Sequence, residues 1–122
     1  MKAKLSSHED SLIISIDGKI DYETQDAVCD FIGSTIERNQ RDHAAKQIIV
    51  NFKNLDFVGS SGITQFVQSL KGIHNDTHFT PKYCGVKSEF QKIMKAFDEA
   101  NEFDFYDDVA LSKRNGKPIV NQ

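Results

Sequence analysis

Apolar residues recur with two different periods along the chain. Ser11-Leu-Ile-Ile-Ser-Ile-Asp17 alternates: Leu12, Ile14 and Ile16 share one face, Ile13 and Ser15 the other. That is the pattern of a strand. Residues 2–7 are shorter and mixed. With the polar turn His8-Glu9-Asp10 between them, the two segments predict an antiparallel hairpin. Gly18-Lys19-Ile20-Asp21 reads as a turn or short extended piece. Thr24 is placed to cap a helix, with Asp26 in its first turn. Ala27, Val28, Phe31, Ile32 and Ile36 fall on one face of that helix. It is expected to end near Arg38-Asn39, before a polar surface connection from Asn39 to Lys46.

Gln47-Ile-Ile-Val-Asn-Phe52 carries apolar residues on both faces, as a strand covered by helices would. From about Ser60 the period changes to helical. Ile63, Phe66, Val67, Leu70 and Ile73 line one face of an amphipathic helix, and Thr64, Gln65, Gln68 and Lys71 its outer face. Gly72 and the polar run His74 to Thr80 are expected to close it. Lys82 to Gly85 is a short strand behind Pro81. Ser88, with Gln91 three residues on, has the spacing of a capping box. Phe90, Ile93, Met94 and Phe97 then repeat as a third helix. Phe103 and Phe105 mark a short edge strand, and Asp107 to Arg114 a final helix whose charges match its dipole. Asn115 to Gln122 is expected to be loose. The order is β-β-α-β-α-β-α-β-α. It implies an α/β fold: a mixed, mainly parallel sheet of four to five strands with about four helices packed against it.

Composition narrows the function more than the fold. At 122 residues, 39% hydrophobic and 27% charged, the chain has the make-up of one globular domain. Fifteen Lys and Arg stand against 18 Asp and Glu, a net charge of -3. There is no basic excess to attract nucleic acid or an anionic membrane. No apolar run reaches the ~20 residues of a membrane span, and the N-terminus lacks a signal-peptide core. A cytoplasmic protein is expected. Cys29 and Cys84, far apart in sequence, read as buried reduced thiols.

The chemistry concentrates between the strand ending at Phe52 and the helix after it. Gly59-Ser60-Ser61-Gly62 must turn the chain tightly and start that helix. Two hydroxyls then sit where backbone N–H groups point outward and the dipole is positive, a favourable place for an anion. One serine suffices as an N-cap, which leaves the second exposed. The spacing matches neither a nucleotide P-loop nor G-x-G-x-x-G. It is one residue short of a G-x-S-x-G elbow. The histidines His8, His43, His74 and His78 lie in polar segments and read as surface residues. The i, i+4 pair His74 and His78 has no third ligand nearby. No convergent catalytic set appears, so neither an enzyme nor a metal or cofactor site is expected. The acids at 98–99, 102, 104 and 107–108 read as a solvated face.

With these residues laid out, the chain resembles a STAS domain, the fold of bacterial anti-sigma factor antagonists and of sulfate-transporter cytoplasmic domains. Gly18-Lys19-Ile20-Asp21 followed by Thr24 is similar to the family's G-x-[LI]-D…T entry into its first helix. Ile48 to Phe52 and Leu55-Asp56-Phe57-Val58 are similar to its central strand and loop. Gly59-Ser60-Ser61-Gly62-Ile63 resembles its D-S-S-G-[LIV] signature, with Gly59 where the family has Asp. Phe90 to Phe97, then Phe103 and Phe105, resemble its last long helix and final strand. The match runs over about 5–112 of a single domain, 1–122.

The resemblance implies a non-enzymatic regulatory binding protein. Its implied partner is an anti-sigma factor with serine-kinase activity, and a protein phosphatase would reset it. Ser60 would be the phosphoacceptor. The partner surface would take in Gly18, Asp21, Tyr22, Phe57, Gly59, Ser60, Ser61, Gly62, Thr64, Gln65 and Gln68. Related alternatives are a scaffold or subunit of a stress-signalling or lipid-transport complex, and a small anion or nucleotide binder.

Overall fold

In the computed structural model the described residues are 2–8, 10–21, 23–43, 45–57, 61–98 and 103–106; for His8, Phe57, Ser61 and Gly62 only the backbone is described. The strands are β1 (Lys2–His8), β2 (Ser11–Ile20), β3 (Gln47–Asn51), β4 (Leu55–Phe57), β5 (Lys82–Cys84) and β6 (Asp104–Tyr106). The helices are α1 (Gln25–Asp42), α2 (Ser61–Thr77) and α3 (Ser88–Ala96). Five strands run in the order β1-β2-β3-β5-β6, and β4 joins off this path by pairing with β2. β1 and β2 are antiparallel; the other pairs are parallel. The sheet is therefore mixed and mainly parallel, as expected, with three helices among the described residues. The segment expected to form a fourth helix, 107–114, lies outside them.

The alternation along β2 and β3 decides the layers. Ile14 and Ile16 on β2, Ile48 and Val50 on β3, and Tyr83 on β5 form one core with α1, α2 and α3. Each of these five side chains is almost wholly enclosed. On the other face, Ile13, Ile49, Cys84 and Tyr106 form a second, smaller cluster. Both cysteines are buried and neither is in a disulfide. Phe52 follows β3 and packs in this core, with ring centroids 6.1 Å from Phe66 of α2, 5.8 Å from Tyr83 and 6.1 Å from Phe90 of α3.

Several boundaries differ from the sequence reading, each for a local reason. Of the two readings of Gly18 to Ile20, the extended one holds: β2 continues through it because β4 supplies a ladder partner beyond the end of β3. α1 runs past Arg38-Asn39 to Asp42, where His43 adopts a left-handed conformation (φ 51°) and its N–H closes on the Asn39 carbonyl. Asn39 is buried, not part of a surface connection. Its side chain takes the Ala45 N–H at 2.9 Å and gives a hydrogen bond to the Ala45 carbonyl at 3.0 Å, which pins the loop. α2 likewise runs through Gly72 and His74 to Thr77. Ser88 and Gln91 do not form a capping box. Lys87 occupies the cap without a side-chain bond, and Gln91 Nε2 instead donates to the Val86 carbonyl at 3.0 Å.

Candidate functional site

The stretches singled out in the sequence converge at the ends of the parallel strands. Residues 18–20 and 55–57 lie far apart in the chain, yet they are adjacent parallel strands: Gly18 pairs with Leu55, Lys19 with Asp56 and Ile20 with Phe57. The Gly18 N–H also donates to the Asn54 carbonyl at 2.9 Å. Gly18 has φ 109°, a conformation that a side chain would disfavour. α2 then begins at Ser61, four residues beyond the end of β4. Ile20 and Phe57, the last strand residues before α1 and α2, thus end one ladder side by side. Tyr22, Val58, Gly59 and Ser60 lie outside the described residues.

The start of α1 is built differently from the sequence reading. Thr24 makes no cap to the helix. Asp21 performs that role one turn earlier: its Oδ1 accepts the N–H groups of Glu23 and Thr24, each at 2.9 Å, and the Thr24 hydroxyl at 3.1 Å. Thr24 Oγ1 in return accepts the Asp21 N–H at 3.0 Å. This reciprocal arrangement has capping-box geometry with Asp in the first place. The Thr24 N–H, foremost among the donors, holds the Asp21 carboxyl below its usual range; burial opposes it and the other hydrogen bonds add to it. Asp21 is therefore half-buried and committed to its own loop.

Of the residues expected on the outer face of α2, Lys71 is half-buried and donates to the Phe97 carbonyl. Gln65 and Gln68 are exposed and Thr64 is half-buried. Gln65 Oε1 accepts a hydrogen bond from the Gln25 amide at 3.2 Å, which ties the first turns of α1 and α2 together. Gln25 is itself buried. Periodicity gave no hint of this contact, because a polar residue in the first turn of a helix reads as surface. Lys87, the cap of α3, forms a half-exposed ion pair with Asp56 of β4, so α3 also borders the site. Exposed pairs of this kind add less than about 1 kcal/mol.

His74 is the clearest correction. It faces the core rather than solvent, is 4% exposed, and lies with Nε2 2.8 Å from the Tyr83 hydroxyl. Its ring meets Phe103 edge-on at 5.1 Å. Burial pushes its pKa down to about 4, with Asp98 opposing and Lys71 reinforcing. It therefore does not pair with the exposed His78. Among the described residues no group of three or more His, Cys, Asp or Glu could hold a metal ion. No helix among them is long and apolar enough to cross a membrane.

A family model described as "STAS domain" matches residues 2–111. The chain belongs to the STAS domain family. It is 32% identical over 63 residues to an anti-sigma F factor antagonist of Paenibacillus polymyxa, a match covering 52% of this chain and 50% of the relative. The STAS chain thus spans about half the length of that curated relative. The solved structure of the anti-sigma factor antagonist SpoIIAA in its unphosphorylated form superposes with a TM-score of 0.61 at 16% identity, covering 93% of this chain and 96% of that one. The phosphorylated form of SpoIIAA, a Bacillus cell fate determinant, gives 0.57 at 16% identity, covering 93% and 98%. At that identity these two likenesses speak to the STAS fold.

Proposed function

We propose that this STAS domain is an anti-sigma factor antagonist that binds a kinase-type anti-sigma factor and is switched by phosphorylation of Ser60. The observation that carries the reading is the β2–β4 ladder. It sets Gly18–Ile20 beside Leu55–Phe57, and α2 begins at Ser61, four residues beyond β4. The match to an anti-sigma F factor antagonist supports the same reading. In this proposal the partner packs on residues 57–62, on Thr64, Gln65 and Gln68, and on Gly18 to Tyr22. Phosphate on Ser60 would add about -1.5 to -2 charges there. The first N–H groups of α2 and its dipole would tolerate that anion within the fold. A partner surface packed on the turn would not, so binding would be lost through charge and bulk while the domain keeps its shape. A protein phosphatase would restore the binding form. The role requires no catalysis by this chain.

The test is incubation with the kinase and ATP followed by intact-mass measurement. The expected result is a gain of one phosphate, absent in Ser60→Ala, and loss of partner binding in calorimetry for Ser60→Asp. An unmodified wild type beside a kinase active on another substrate would remove the switch. Unchanged affinity of Ser60→Asp would remove the interface.

A further inference from the structure

The described sheet ends in two unequal edges, three residues of β6 on one side and seven of β1 on the other. Every described side chain of β1, from Lys2 to Ser7, is exposed. Leu5, 46% exposed, is the exposed large hydrophobic residue of the described chain. The register explains its position. Ala3, Leu5 and Ser7 pair with Ile16, Ile14 and Leu12, so they face the helical layer, while Lys2, Lys4 and Ser6 face the other way. The apolar row through the fully buried Ile14 therefore continues into Leu5 and stops in solvent.

Open edges of this length normally carry a guard against pairing, most often lysine. Here the guard is lopsided. Lys2 and Lys4 both lie in the first half of β1. A second β1 laid parallel and in register would set lysine on lysine, which is unfavourable. Laid antiparallel about Leu5, the same strand sets Lys4 against Ser6, Lys2 against His8, Ala3 against Ser7 and Leu5 against Leu5. No like charges then meet. A two-fold axis normal to the sheet keeps both helical layers on one side, and the contact is the same patch used twice.

We propose that β1 is a self-association edge, pairing antiparallel with β1 of a second copy about Leu5 to join two sheets into one. Opposed residues in such a ladder have Cβ atoms about 4.5–5.5 Å apart, so the two Leu5 side chains cover each other. A strand edge buries little area, which makes this a weak dimer of the class below about 1,200 Å². β1 pairs with residues 11–17 of β2, so the dimer leaves residues 18–20 and their β4 partners clear of the contact on each copy.

The proposal is tested by sedimentation from micromolar to millimolar concentration and by oxidative cross-linking of Leu5→Cys. The native cysteines are buried, so they do not compete. The wild type is expected to shift toward dimer with concentration. Leu5→Asp, at an exposed position, is expected to stay folded by circular dichroism and monomeric throughout. Leu5→Cys should give covalent dimer several-fold faster than Glu37→Cys, an exposed position on α1. A wild type that stays monomeric, with Leu5→Cys no faster than Glu37→Cys, overturns the proposal. Hydrogen-exchange protection of β1 that arises only when an anti-sigma factor is added overturns it too, because the edge would then belong to that partner.

Discussion

His74 and Tyr83 share a 2.8 Å hydrogen bond inside the core, joining α2 to β5. The imidazole is held neutral chiefly by burial, with a pKa near 4 in the folded chain. The unfolded chain takes up this proton near pH 6.5. Between pH 6.5 and about 4 the unfolded state therefore binds a proton that the folded state does not, and stability falls as pH falls through that window. Above it the contribution is complete. Denaturant titrations across the window should show a loss on the order of 3 kcal/mol from this residue. His74→Gln should flatten the dependence even if it lowers stability at neutral pH.

Gly85 is predicted to tolerate no side chain. It has φ 67°, and a Cβ there would lie 2.8 Å from both Cα and Cβ of Lys53. Left-handed backbone alone costs a non-glycine residue about 1–2 kcal/mol, and the close approach adds to it. Gly85→Ala should lower the chemical-denaturation midpoint by the equivalent of about 2 kcal/mol or more. Gly72→Ala, where a Cβ meets nothing within 4 Å, is the internal control and should be neutral or stabilising.

Asp21→Ala removes the acceptor for two backbone N–H groups and one hydroxyl. The expected effect is a lower melting temperature. Because the folded pKa of Asp21 is lowered, its contribution is present above the usual carboxylate range and disappears as pH falls through the folded value. Thr24→Ala should cost less, since it removes one acceptor and one hydroxyl donor. Thermal melts of the two variants at neutral and acid pH check both statements.

Cys29 and Cys84 should resist thiol reagents until the chain unfolds. Burial, with Asp26 and Asp30 adding, pushes the Cys29 thiol up to about 12, leaving almost no thiolate at neutral pH. Titration with a disulfide reagent should give no reaction in buffer and two thiols in denaturant.

The sequence carried the fold wherever one period ran undisturbed. Ile63, Phe66, Val67 and Leu70 announced α2, and the alternation Leu12-Ile14-Ile16 announced β2 and its inner face. It failed where a side chain's role is set by a neighbour distant in the chain. His74 follows Ile73 on α2 and looked like the start of a polar run, but Tyr83 and Phe103 close over it. Gly18 to Ile20 read as a turn or a short extended piece, and the sequence could not decide because its ladder partner, β4, is only three residues long. Asp21 was taken as part of the connection and Thr24 as the cap; the spacing between them was right and the roles were reversed. The motifs were legible one by one, and the adjacency of residues 18–20 to 55–57 was not.

The short ladder between β2 and β4 also bears on how tightly this domain can be held. A protein that grips two separate loops must order both, at a cost of about 1–2 kcal/mol for each residue fixed. Residues 18–20 and 55–57 already share backbone hydrogen bonds, so the two sides of the tip move as a single edge. Most of that ordering cost has been met in folding. A partner resting on residues 18–20 and 55–57 would meet one preformed edge rather than two independent loops.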